Sequence, residues 1–384
     1  MTNDTIRPFR IDVPQADVDD LRDRLTRTRW PRELAADWTR GIPVSAVRPL
    51  AERWRDDFDW RAQEAWLNGF PQFTTDVDGQ TIHFVHVPSP VRGARPVILL
   101  HGWPSSFAEF LDLVGPLTDP VAHGGRAEDA MHVVIPSLPG YGFSPLSGEG
   151  WGDLFRVAQA MAEVMTRLGY DRFLAHGTDA GAGVVAMLPI AAPARVIATH
   201  VTGPGPFPLG PAVPLDGLDE RDAERAARFN AFREDGVGYL QLQSTRPQTL
   251  AYGLTDSPVA QLAWIAEKFT EWSVEGVDPD RLLITVSMSW FQQTGWSSAQ
   301  AVFEGMQVFR RFASGGASDG GWEAPPMPPA AASVFAGDFS IRSVVDPAET
   351  FEAWIEHDRA GHFPALEAPE LLLGDIRAFF AGRS

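Results

Sequence analysis

Two periodicities succeed each other along this chain. In the first ninety residues Val18, Leu21 and Leu25 recur at helical spacing before Trp30-Pro31 ends the run, and Val47, Leu50, Trp54 and Phe58 mark a second amphipathic helix. Strict alternation over residues 81–87 predicts a strand, paired through a Gly79-Gln80 turn with residues 73–77 as a hairpin. From Val97 the pattern changes. Val97-Ile98-Leu99-Leu100 is a short continuous apolar run, which suits a strand covered on both faces. A helical face (Phe107, Phe110, Leu111, Val114), a strand at 132–135, a helix through Ala158, Met161, Val164, Met165 and Leu168, and strands at 173–176 and 196–201 follow in order. Strands alternating with helices at this spacing predict an α/β fold with a mostly parallel, doubly wound sheet.

The alternation stops near Thr202. Residues 205–312 read as helical, with a charged cluster from Asp216 to Asp235 and aromatic stretches around Trp264, Phe269, Trp272, Trp290 and Phe291. Residues 313–329 are rich in Gly, Ser and Pro and read as a linker. The sheet pattern resumes at Ala332-Ser333-Val334-Phe335, and Leu371, Leu372, Ile376, Phe379 and Phe380 form a closing amphipathic helix. The expected organisation is a leading segment (1–90), a core in two parts (91–204 and 330–384) and a helical cap with its linker (205–329). Ligands bind at the carboxyl edge of open α/β sheets, so the cap is expected over that edge.

The length of 384 residues fits one large domain with an inserted module. A formal net charge of −18 argues against nucleic acid or an anionic membrane as partner. With no cysteine, disulfides and thiolate metal sites are excluded, and no His/Asp/Glu spacing suggests another metal. No apolar run approaches a membrane span, and Met1-Thr2-Asn3-Asp4-Thr5 carry no signal-like apolar stretch, so a cytoplasmic protein is expected. Thirteen Trp and 24 Phe serve either a large core or an aromatic-lined pocket.

The chemistry centres on Gly177-Thr178-Asp179-Ala180-Gly181, between a predicted strand and a predicted helix. A short Gly/Asp loop can be an ordinary turn. At this place in α/β-hydrolases, however, a sharp elbow lifts a nucleophile above the sheet. The occupant here is Asp, not the usual Ser. A carboxylate gains little by attacking an ester, but on a saturated, electron-poor carbon it forms an alkyl ester that water can cleave. Epoxide and carbon–halogen carbons are the natural targets. Asp338 (in Phe335-Ala336-Gly337-Asp338) and His362 (in Gly361-His362-Phe363) follow in the order nucleophile, acid, histidine. His362 would activate water and Asp338 would orient its imidazole. The turn His101-Gly102-Trp103-Pro104 would aim the Trp103 N–H, with that of Ala180, at the oxyanion. His83, His86, His132, His176 and His200 read as structural.

With these residues assembled, the chain resembles the microsomal-type epoxide hydrolases, in their soluble bacterial branch. The resemblance rests on Ile6-Arg7-Pro8-Phe9 through Trp30-Pro31, His101 to Pro104, Leu138-Pro139-Gly140-Tyr141-Gly142-Phe143-Ser144, Gly177 to Gly181, Gly361-His362-Phe363, and the stretches around Tyr239, Gln243 to Thr249 and Asp256-Ser257-Pro258. It implies an N-terminal meander on an α/β-hydrolase core with a helical cap, no cofactor, and a bulky hydrophobic small molecule as substrate. It also implies two cap tyrosines that protonate the leaving oxygen. Tyr239 matches the first. By register the second place holds Val302, so one phenol acts alone, or Ser289, Gln292, Gln293 or Tyr252 substitutes, or the scaffold is repurposed in natural-product metabolism. Trp290, Phe291, Gln292, Trp296 and Val302 are the expected substrate-binding residues. A haloalkane dehalogenase is the enzymatic rival, but it would want a Trp where Ala180 stands. The sequence leaves self-association as a homodimer open.

Overall fold

The fold is described from a computed structural model, which covers residues 5–313 and 325–383. Nine strands form one sheet: β1 (Arg7–Phe9), β2 (Gln72–Val77), β3 (Gln80–Val87), β4 (Arg95–Leu100), β5 (Met131–Pro136), β6 (Phe173–Thr178), β7 (Val196–Thr202), β8 (Ala330–Val334) and β9 (Ala353–Glu356). Their spatial order is β1-β2-β3-β5-β4-β6-β7-β8-β9. The first three strands join antiparallel along one edge, and every pair from β5 to β9 is parallel. The predicted mostly parallel sheet is therefore present.

The unbroken apolar run of β4 has its expected cause. Val97 and Leu99 pack on one side with the helices Leu111–Thr118 and Pro369–Phe380, while Ile98 and Leu100 pack on the other with Leu154–Arg167 and Ala180–Ala191. All four side chains are fully buried. Removing that much aliphatic surface from water is worth about 2 kcal/mol per side chain.

The leading segment forms the helices Gln15–Thr26 and Val44–Asp56, buried through Val18, Leu21, Leu25, Val47 and Trp54 as the spacing predicts. Phe58 lies beyond the second helix yet is buried. A third helix, Trp60–Leu67, and the three-residue β1 were not legible from periodicity. The hairpin turn is Asp78-Gly79, not Gly79-Gln80; both residues have positive φ (49° and 78°), the geometry of a tight primed turn.

Between β7 and β8 lies the helical insert: Glu220–Ala231, Gly238–Gln243, Pro247–Asp256, Pro258–Glu271, Pro279–Phe291 and Thr294–Ala313. Three of these helices open on proline, whose missing N–H costs nothing at a helix start. Ser257 and Asp278 cap two of them. The leading helices brace the insert: Trp54 Nε1 donates to Ser287 Oγ at 2.8 Å, and Arg53 pairs with Asp280 at 2.8 Å. Most of the linker expected at 313–329 lies outside the described residues; 325–329 run without regular structure into β8. Among the described residues no helix is long and apolar enough to cross a membrane.

Candidate active site

β6 ends in a forced turn. Asp179 has φ 52° and ψ −123°, a conformation that strains a non-glycine residue by on the order of 1–3 kcal/mol. The flanking glycines let the turn close. A Cβ on Gly181 would collide with the carbonyl of Leu100, and one on Gly177 with the carbonyl of Gly181. A Cβ on Gly102 would strike Asp179 itself. The three glycines are thus tied to one purpose, bringing the elbow against the β4 loop.

There the Trp103 N–H donates to Asp179 Oδ1 at 2.9 Å. Asp179 Oδ2 points the other way and lies 3.6 Å from His362 Nε2. Asp179 sits deep among protein atoms, yet 31% of its side-chain surface remains open. Burial pushes its pKa up, but His362 and the N–H groups of Ala180 and Trp103 outweigh that and hold the carboxyl below its ordinary value. For His362, burial pulls the pKa down; Asp179, then Asp338, then Glu109 more than offset it, and the imidazole ends above 6.5.

Two contacts hold the His362 loop on the insert. The His362 N–H donates to the carbonyl of Trp272 at 2.9 Å, and a Cβ on Gly361 would collide with that same oxygen. Glu367 accepts from the N–H of Gly361 and Phe363 with one oxygen and from Val274 and Glu275 with the other. One side chain, Glu367, thus ties the insert to the histidine loop in addition to the backbone bond.

Asp338 follows β8 as expected. Its Oδ2 accepts from the Phe335 N–H at 2.6 Å, and its charge supports that of His362. Burial lifts its own pKa to about 6. Tyr239 stacks flat on Trp103 (ring centroids 4.9 Å apart, 8° between planes) and meets Trp272 edge-on at 5.3 Å. Burial and the charge of Asp179 both push its phenol well above 10. The structure thus brings Asp179, His362, Asp338, Tyr239, Trp103 and Ala180 to one place.

The cavity beside the elbow is lined by residues other than those expected to bind substrate. Beside Trp103 lies a nearly closed cavity of about 10 Å³, room for about one water. On the insert side it is lined by Trp264, Ser289, Thr294 and Ser298, not by Trp290, Phe291, Gln292, Trp296 or Val302. Phe291 packs on Trp60 at 4.9 Å, and Trp290 lies under Arg24, so both serve the contact with the leading segment. Tyr252 is 73% exposed and Gln293 is exposed, so neither replaces the second phenol. Ser289 does line the cavity.

Sequence reading gave no role at the site to five residues. Tyr141 lines the cavity and, like Tyr239, has a phenol held well above 10 by burial and by Asp179. The Nε1–H of Trp264 is shielded and unpartnered, as are Ser105 Oγ and Thr294 Oγ1 on the same cavity. Unpaired polar atoms around an empty space mark a place where a ligand can pair them. Glu109 is buried behind the β4 loop; a lone acid within the apolar run Phe107-Ala108-Glu109-Phe110-Leu111 was its only signal. His83 (to Ser137 and Gln72) and the pair His176–His200 are hydrogen-bonded inside the core, consistent with structural roles.

A sharp strand-to-helix elbow at the carboxyl end of a parallel sheet, roofed by a helical insert, is the architecture of an α/β-hydrolase. Residues 6–110 match the epoxide hydrolase N terminus, and residues 95–264 match the alpha/beta hydrolase fold. A Stigmatella aurantiaca protein provisionally named an epoxide hydrolase is 42% identical over 98% of this chain and 84% of its own. Epoxide hydrolase 1 of Sus scrofa is 31% identical over 98% and 89%. The structure of Aspergillus niger epoxide hydrolase superposes with a TM-score of 0.84 at 31% identity, covering 98% of this chain and 96% of that one. The chain belongs to the epoxide hydrolase family, a hydrolase acting on epoxide ether bonds, in accord with the resemblance carried by its motifs.

Proposed function

We propose that this enzyme opens an apolar epoxide to a vicinal diol through an ester on Asp179. The carrying observation is the division of labour between the two carboxyl oxygens. Oδ1 is held by backbone N–H, while Oδ2 faces His362. Oδ2 attacks a ring carbon, the C–O bond of the ring breaks, and Tyr239 protonates the departing oxygen. A phenol with a raised pKa remains a donor at neutral pH, and Tyr141 supplies a second one from the core in place of the Val302 position. Oδ1 becomes the ester carbonyl oxygen without leaving its donors.

In the second half, His362 takes a proton from water, and the hydroxide adds to the ester carbonyl carbon. The oxyanion forms on Oδ1, already paired with Trp103 N–H and facing that of Ala180, an arrangement worth a few kcal/mol. Collapse breaks the alkyl–oxygen link to Cγ, the diol oxygen takes the proton from His362, and the carboxyl proton restores the phenol. Ala180 offers an N–H but no side-chain donor for halide, which favours epoxide over haloalkane. The small cavity implies that a bulky substrate displaces the aromatic side chains that close it.

The test is intact-mass analysis of His362→Gln mixed with styrene oxide. An adduct of the epoxide's mass on the peptide holding Asp179, absent in Asp179→Ala, is expected. Undiminished diol formation by Asp179→Ala would refute the reading.

A further inference from the structure

Glu109 has no part in the scheme above, yet its setting is unusual. The Ser106 side chain caps a 3-10 turn, Phe107–Phe110, that follows the Trp103 loop, and this turn carries Glu109 inward. The residue is 2% exposed, and neither carboxyl oxygen has a hydrogen-bond partner. A buried acid left unpaired is costly, so it calls for an explanation. Burial lifts its pKa to about 7; neighbouring Ser105 and the charge of His362 pull it down, and Asp179 pushes it up. The other charged groups on elements packed against this turn are engaged elsewhere. Asp112 pairs with Arg281, His132 accepts from the Ser89 N–H, and Glu367 holds four backbone N–H groups.

This inference rests on the proposed ester intermediate. In the free enzyme the charge of Asp179 is the largest support for protonated His362. Esterification removes that charge just before His362 must accept a proton from water. The same event removes a charge that, after burial, adds to the upward push on the Glu109 pKa. We propose that Glu109 is a positioning residue for the second half-reaction: its carboxylate joins that of Asp338 in stabilising the His362 imidazolium while Asp179 is an ester. The proton Glu109 sheds goes to solvent. The proton from the attacking water goes to His362 and thence to the diol, so Glu109 exchanges none with the substrate. When the ester is cleaved, Asp179 regains its charge and Glu109 returns to its resting state.

The experiment is rapid-quench single turnover of styrene oxide from pH 5.5 to 8.5, following alkyl-enzyme by intact mass in the wild type, Glu109→Gln and Ser105→Ala. In Glu109→Gln, adduct formation is expected within about twofold of the wild type. Its hydrolysis is expected to be roughly 10- to 100-fold slower, below the about 100- to 10,000-fold of a full general-base effect because the base itself remains. Its acid limb is expected to move to lower pH, because His362 loses a charge that supports protonation. Ser105→Ala removes a group that lowers the Glu109 pKa, so its hydrolysis is expected to need a higher pH to reach full rate. If Glu109→Gln does not fold, the Ser105→Ala profile decides. Hydrolysis with unchanged rate and unchanged limb in the folded variants overturns the proposal while leaving the nucleophile intact. Absence of any adduct in the wild type overturns both.

Discussion

Gly102→Ala probes the site without altering any functional side chain. The added Cβ would overlap Oδ1 and Cβ of Asp179 and sit 2.7 Å from the Ala180 nitrogen. The Ala180 nitrogen is fixed backbone, so the Asp179 side chain must yield. A shift of roughly 1 Å in a nucleophile costs about 100-fold. The same shift pulls Oδ1 off the Trp103 N–H, and losing one oxyanion donor costs about 100- to 1,000-fold, or roughly 3–4 kcal/mol. The first penalty falls on ester formation and the second on ester hydrolysis. Since the slower step governs turnover, kcat is expected to fall at least about 100-fold. The assay is stopped-flow turnover of styrene oxide, with thermal unfolding measured alongside to confirm a folded protein. A folded Gly102→Ala enzyme within tenfold of the wild type would refute the assignment of this loop to the nucleophile.

Tyr239→Phe and Tyr141→Phe are each expected to slow adduct formation by about 10- to 100-fold and the double variant by more, read as burst rates; an unaffected double variant would mean that the ring oxygen leaves without either phenol. Glu367→Ala releases four backbone N–H groups, so a fall in kcat larger than any rise in KM is expected; equal wild-type kinetics would show that the fastening of the His362 loop is immaterial. Burial holds His83 at about 3 and His101 and His200 at about 4, against 6.5 for a free imidazole. The unfolded chain therefore takes up protons below pH 6.5 that the folded chain refuses until about pH 4, so stability falls as pH drops through that window. Each contributes on the order of 3 kcal/mol. Glu109 and Asp338, with raised values, act in the opposite sense and offset part of it. A urea midpoint that stays level or rises between pH 6.5 and 4 would contradict this balance.

The sheet was readable because burial on two faces leaves a mark that few other settings leave: β4 carries four aliphatic residues in a row, with a glycine in the turn that follows. Asp179, Asp338 and His362 could be proposed from the sequence because each follows the carboxyl end of a strand, where position suggests a role. The pocket residues were not. Trp290 and Phe291 carry the hydrophobicity of a pocket wall, but the same hydrophobicity serves a contact with the leading segment, and periodicity does not distinguish the two surfaces. Tyr141 lies within the motif Leu138 to Ser144, and only three-dimensional proximity places its phenol in the field of Asp179. Trp60–Leu67 escaped notice because it is eight residues long and buries Glu64 where a helix pattern expects an apolar residue.

The most direct measurement is the fate of heavy oxygen in one turnover. Enzyme in excess over styrene oxide is mixed in oxygen-18 water, and both diol and protein are weighed. If Asp179 Oδ2 attacks carbon, the first diol carries only ordinary oxygen and the peptide holding Asp179 gains the heavy atom. Heavy oxygen in the first diol, with an unlabelled peptide, would mean that water attacks the ring directly and that no ester forms.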